Sequence, residues 1–136
     1  MRECGSCSLC CKLERINEFD KPARCWCEHA FIAGSGCAIF GKPERPQVCN
    51  TFSCLWRDGK VPEEMRPDQI GAYAVDKGTH VKVAADTAST LKTHSLVDYF
   101  VEQGRHVLLV RGMTLEFCCG EGKAPPLQIE LAWTLY

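Results

Sequence analysis

Apolar positions from Ile70 onward recur with two different periods. Ala72, Ala74, Val81, Val83 and Ala85 alternate with larger or polar neighbours on either side of Asp76-Lys77-Gly78, which predicts a hairpin closed by a glycine turn. Leu96, Val97, Phe100 and Val101 return at helical spacing, with Ser95 or Thr93 as the N-cap and Gly104 as the C-cap. His106 to Val110 reads as a buried strand, Arg111-Gly112 as a turn, and Thr114 to Phe117 as its hairpin partner. A last apolar stretch from Leu127 to Trp133 predicts one more strand. The order strand, strand, helix, strand, strand, strand predicts a small antiparallel sheet with one helix packed on it, an α+β fold.

Residues 1–60 show neither period. Glycines and prolines break them into a loop-rich segment unable to bury a core of its own, and the polar, proline-bounded stretch 61–69 reads as a connection to the region 70–136. With no long spacer between them, the two parts are expected to share one core. What the front segment has instead is sulfur: nine of the eleven cysteines lie within the first 54 residues. At 136 residues and 46% apolar composition the chain is the size of one domain, and a net charge of −1 gives no reason to expect nucleic acid as a partner. The first residues lack the apolar stretch of an export signal, and no run approaches the roughly 20 apolar residues that span a bilayer. The expected location is the cytoplasm, away from membranes. In a reducing compartment thiols stay available to metal, and an odd number of cysteines cannot all pair within one chain.

The opening run is Cys4-x-x-Cys7-x-x-Cys10-Cys11. Each Cys-x-x-Cys step allows a tight turn to aim two sulfurs at one ion. If the same residues are helical, about 100° per residue gathers the four sulfurs within an arc of roughly 120°. Both backbones are open at this level, and under either one more distant ligands are needed to complete a tetrahedral shell. Thiolates are soft donors that favour zinc, copper(I) and iron-sulfur iron over calcium or magnesium. Metal binding would supply folding energy that this segment cannot draw from burial.

Further thiols follow at Cys25, Cys27, Cys37, Cys49 and Cys54. The run Cys4-x-x-Cys7-x-x-Cys10-Cys11, then Cys27, Gly36-Cys37-Ala38-Ile39-Phe40, Arg45-Pro46-x-x-Cys49 and Phe52-x-Cys54 resembles the YkgJ family of CxxCxxCC cysteine-cluster proteins, zinc- or iron-chelating domains. The resemblance covers residues 4 to about 57, and the Asp20-Lys21-Pro22 and Arg66-Pro67-Asp68 segments also look like longer members. It implies eight metal ligands: Cys4, Cys7, Cys10, Cys11, Cys27, Cys37, Cys49 and Cys54. Eight thiolates serve two four-thiolate sites, or one cluster plus one ion. Arg45, inside the matched motif, is expected to donate hydrogen bonds near the sulfurs.

Zinc with a mainly structural role is the expected cofactor. An iron-sulfur cluster in redox or radical chemistry is the first alternative, because the opening triplet matches a ferredoxin-type loop, although no Cys-Pro completes it. Copper(I) sequestration is the second. Cys25 reads as a spare ligand, His29 as a possible one, and Cys118-Cys119 as a strand-end pair with one buried, inert member. His80, His94 and His106 are scattered, no residue is singled out as catalytic, and Gly34-Ser35-Gly36 lacks the lysine of a phosphate loop. The remaining surface is expected to meet a protein or small-molecule partner of unknown identity.

Overall fold

A computed structural model describes residues 9–23, 25–29, 37–39, 42–87, 93–112, 114–118 and 120, with the side chains of Cys11, Asn50, Thr51 and Phe117 left out. The predicted strand at Leu127 to Trp133 lies outside these residues.

The alternating segments form strands β1 (Ala72–Asp76) and β2 (Val81–Ala85), and the later pair forms β3 (Val107–Arg111) and β4 (Thr114–Cys118). Their spatial order is β1-β2-β3-β4. The β1–β2 and β3–β4 pairs are antiparallel, each joined by a short turn. In the first of these turns Gly78 has φ +83°, and its N–H donates to the Asp76 carboxylate at 2.8 Å. β2 and β3, however, pair in parallel, Val81 opposite Val107 through Ala85 opposite Arg111. The sheet is therefore mixed, which corrects the antiparallel expectation while keeping the α+β class. The physical cause is the helix α4 (Thr93–Val101) between them. A strand that leaves one end of a sheet and returns in the same direction needs a crossover of a dozen or more residues, and α4 carries the chain back along the sheet.

Period-2 geometry separates the two faces. Ala72, Ala74, Val81, Val83, Ala85, Val107 and Leu109 point toward α4 and bury Leu96, Val97 and Phe100, with Trp56, Val61 and Ile70 closing the same core. Trp56 and Val61 come from the chain before the sheet, so the cysteine-rich half and the sheet bury a common interior. The stretch between them is ordered as a 3₁₀ turn at Glu63–Met65 and the short helix α3 (Pro67–Ile70), with Pro67 at its first position. Pro67 and Ile70 are buried, as expected for a segment docked on the core rather than a free tether. Helix α4 ends in a turn where Gly104 has φ +81°, matching its expected C-cap role.

On the opposite face Tyr73 and Ala84 receive Leu9, with Cys10, Leu13, Phe52, Cys54 and Val75 packed around them. Leu9, Cys10 and Leu13 belong to α1 (Leu9–Leu13), and Phe52 and Cys54 follow α2 (Gln47–Thr51). Helix α4 thus packs on one face of the sheet and α1 with the exit of α2 on the other, while the Cys54–Trp56 turn also reaches the core on the α4 side. Among the described residues no helix is long and apolar enough to cross a membrane.

A polar clasp joins the β1–β2 turn to the α4–β3 turn. Arg105 donates to the Asp76 carboxylate at 2.8 Å, and this bond, with the Gly78 N–H, holds the Asp76 pKa below its ordinary value. A carboxylate whose folded pKa is depressed contributes stability above its unfolded pKa and loses that contribution as pH falls through the folded value. Half-exposed, the clasp is worth no more than about 1 kcal/mol. Stability is therefore expected to drop slightly more steeply below pH about 4 in the wild type than in Asp76→Asn. Denaturation midpoints at pH 7 and pH 3 check this, and equal pH dependence in the two proteins would remove Asp76 as a cause.

Candidate metal centre

Among the described residues helix α1 runs from Leu9 to Leu13. Tertiary contacts fix it. Leu9 packs on Tyr73 and Ala84, and the Lys12 ammonium pairs with both oxygens of Asp86 at 3.0 Å, just beyond the end of β2. Asp86 thus tethers α1 to the end of β2. The ring of Trp26 lies 5.7 Å from the same ammonium, bringing the Cys25–Cys27 loop alongside the helix.

At the other end of α1 the chain doubles back through Asn17–Phe19, with Asp20 in the left-handed region at φ 51°. Ile16 and Lys21 then exchange two backbone hydrogen bonds of 3.0 Å. This loop delivers the Lys21 side chain, 6% exposed, under the end of the helix. Its ammonium donates to the carbonyls of Lys12, Glu14 and Pro22. Its three N–H bonds meet the carbonyls of Lys12 and Glu14 at the end of the helix and that of Pro22 in the returning loop.

The second thiol-bearing element is built from Arg45-Pro46 onward. Pro46, extended at ψ 146°, precedes α2, and its carbonyl accepts from the Cys49 N–H at 3.0 Å. The helix ends at Phe52, whose ring meets Tyr73 edge-on at 5.7 Å. The chain then turns, and Leu55 N–H donates to the Ala74 carbonyl at 2.8 Å, fastening the Cys54 turn to β1.

These elements enclose a cavity of about 100 Å3. Cys10, Cys27, Cys37, Cys49 and Cys54 all border it, together with Phe19, Ile39, Phe52, Trp56 and Tyr73. Every one of the eight sequence-identified ligands whose side chain is described therefore faces one space, although they span 45 positions of sequence. All five are thiols. Cys27 is buried, and its Sγ accepts from the His29 N–H at 3.4 Å, an acceptor role that suits thiolate sulfur. Cys10 and Cys11 lie in helix, so the helical backbone applies at that end of the opening run. Cys4, Cys7 and the Cys11 side chain fall outside the described residues.

The other candidates separate from this group. Cys25 is exposed, and Cys118 packs against the core on the α4 side of the sheet. Cys119 lies outside the described residues. The His29 ring stacks obliquely at 4.8 Å from Phe19 and lies 3.5 Å from the Glu28 carboxylate. His80 and His106 are buried at the entrances of β2 and β3, where Thr79 Oγ1 is 2.9 Å from His80 Nδ1 and the Gly120 N–H donates to His106 Nδ1 at 2.9 Å. His94 is exposed. Arg45 borders the cavity, whereas Arg66 lies over the Trp56 ring at 5.9 Å and pairs with Asp68 at 2.9 Å.

Three wall residues escaped the sequence reading. Tyr73 alternates with Ala72 and Ala74, so its size placed it on the face opposite the main core, and that signal was available. Its hydroxyl donates to a Glu14 carboxylate oxygen. Burial, foremost, and then the Glu14 charge raise the Tyr73 pKa well above its usual value, so the phenol keeps its proton. Glu14 and Arg57 carry no such local signal.

Chemically the wall offers a soft donor set. Glu14 is the one carboxylate among the described lining residues, and Tyr73 already engages it. Thiols around an otherwise apolar space suit a thiophilic ion rather than calcium or magnesium. Among the described residues no group of three or more His, Cys, Asp or Glu side chains is drawn in to metal-holding range. Comparison with protein-family models, with curated proteins and with solved structures finds no match for this chain in any of the three.

Proposed function

We propose that this chain is a zinc-binding cysteine-cluster protein of the YkgJ type, in which the metal serves mainly to organise the cysteine-rich half. The observation that carries the reading is the gathering of Cys10, Cys27, Cys37, Cys49 and Cys54 around one cavity. Cys4, Cys7 and Cys11 complete the set of eight. When bound, zinc supplies cross-links among segments too short and loop-rich to hold one another by burial. The residues of the chain prepare for that: Lys12 and Lys21 fix α1, Phe52 and Leu55 fix the Cys49–Cys54 segment on β1, and Tyr73 keeps Glu14 engaged. The proposed setting is the reducing cytoplasm, with the α4 side of the fold left to meet a protein or small-molecule partner.

Elemental analysis of aerobic and anaerobic preparations, each with a visible spectrum, tests this. Eight thiolates taken four at a time predict about two zinc ions per chain and no absorption beyond the aromatic band. Iron with acid-labile sulfide and a broad brown absorption that bleaches on reduction would replace zinc by an iron-sulfur cluster. Several readily exchanged copper(I) ions per chain would replace it by a metal store.

A further inference from the structure

Arg57 follows Cys54 by three residues, in a turn closed by Asp58 N–H to the Cys54 carbonyl at 3.1 Å and Lys60 N–H to the Leu55 carbonyl at 2.9 Å. Ser53 Oγ donates to Asp58 at 2.6 Å and braces the same turn. Arg57 borders the same cavity as Cys49 and Cys54. One terminal nitrogen, Nη1, reaches the Phe52 carbonyl at a long 3.4 Å. Its Nε is shut off from solvent and has no hydrogen-bond acceptor among the described residues.

A guanidinium remains charged at every relevant pH, so its buried N–H is a permanent donor. Leaving such a donor desolvated and unsatisfied is costly, and native structures rarely do so without a functional reason. An anionic acceptor would balance the charge as well as the hydrogen bond. Glu14, the described carboxylate of the wall, is taken up by Tyr73. The cavity wall that Arg57 shares also carries five cysteine sulfurs. A thiol is a weak acceptor, but a thiolate held by a metal ion is an anion, and four thiolates on one zinc leave a net charge of −2.

We infer that Arg57 is a positioning residue for the metal centre, its Nε–H donating to a metal-bound thiolate of the Cys49–Cys54 segment. The inference rests on the metal-binding reading above. Arg57 compensates the charge of the thiolate group and orients its sulfur. A lysine at this position keeps the charge and loses the donor geometry; a methionine loses both.

The test uses the full chain loaded anaerobically with cobalt(II), read by its sulfur-to-cobalt charge-transfer band, and with zinc, read by competition against a chromophoric chelator. Arg57→Met is expected to weaken zinc retention by about 10- to 100-fold, the range found when a group bonded to a metal ligand is removed. Its charge-transfer band is expected to move to lower energy, because a thiolate without the hydrogen bond gives up electron density more easily. Arg57→Lys should recover part of the retention while keeping the shifted band. A residue that only braced the turn would lower the stability of the metal-free chain and leave the band where it is. An unmoved band with retention within threefold of wild type in Arg57→Met overturns the inference. Where the methionine variant fails to fold, an unmoved band in Arg57→Lys overturns it just as well. A wild-type chain that takes up neither cobalt nor zinc overturns the metal-centre reading, and this one with it.

Discussion

Replacing Cys49 and Cys54 together by serine is expected to remove at least half of the bound zinc. The pair belongs to one segment, α2 and the turn after it, and both side chains border the cavity. A serine hydroxyl keeps its proton at neutral pH and is a far poorer zinc ligand than a thiolate, so the loss is of ligation rather than of shape. Apparent zinc binding in small structural sites contributes about 10–16 kcal/mol to folding, comparable with the roughly 5–15 kcal/mol total stability of an ordinary domain. The Cys49–Cys54 segment and α1 should consequently lose protection from proteolysis first, while the sheet and α4, held by the apolar core that Trp56 and Val61 close, lose it last. Cys118→Ser is the control: that thiol packs against the α4-side core, so its loss should lower stability and leave the zinc content intact. A double-serine variant with wild-type zinc content would show that the ligands lie elsewhere.

Lys21→Met should be the most damaging single substitution outside the cysteines. Methionine keeps the length and the apolar stem of the side chain and deletes only the ammonium. Three carbonyls, those of Lys12 and Glu14 at the end of α1 and that of Pro22 in the returning loop, then lose their common donor at a site 6% exposed. Hydrogen bonds from a charged donor are worth roughly 1.5–3 kcal/mol each, and the loss of three that share one group is less than additive. The expected cost is about 2–4 kcal/mol in chemical denaturation. It should also be local: amide exchange should quicken in α1 and in the 16–21 loop and remain slow in β2 and β3, whose cores do not involve Lys21. A loss below about 1 kcal/mol, or quickened exchange spread evenly over the sheet, would contradict the capping role.

The same residue shows where local reading stops. Asp20-Lys21-Pro22 is visible in the sequence as a recognisable segment, but nothing in its composition says that Lys21 turns inward to meet three carbonyls. A lysine is exposed by default, and only the left-handed turn at Asp20 and the paired Ile16 and Lys21 backbones redirect it. Glu14 and Tyr73 are alike in this respect. They are 59 positions apart, and each is ordinary until α1 is laid across β1.

The direction of β3 is a different kind of miss. Its apolar run was legible, as were β1, β2, β4 and α4. The parallel pairing with β2 was also encoded, in the helix-bearing stretch between Ala85 and Val107. A tight turn permits only an antiparallel neighbour, whereas a crossover that long returns the chain in its original direction. Reading the strands as a list and the helix as an addition to them hid that constraint.

What the amino-acid sequence by itself determined is local: the period of each element in the back half, the turns between them, and a concentration of thiols in a segment too broken to form a core. These follow from neighbours along the chain. Which face of the sheet receives the thiol-bearing helices, that five cysteines from four separate stretches open on one cavity, and that the Nε of Arg57, on the same wall, is shut off from solvent were decided only by tertiary structure. The reason is that each depends on packing between elements far apart in sequence, where the side chains of one partner say nothing about the identity or orientation of the other until both are folded.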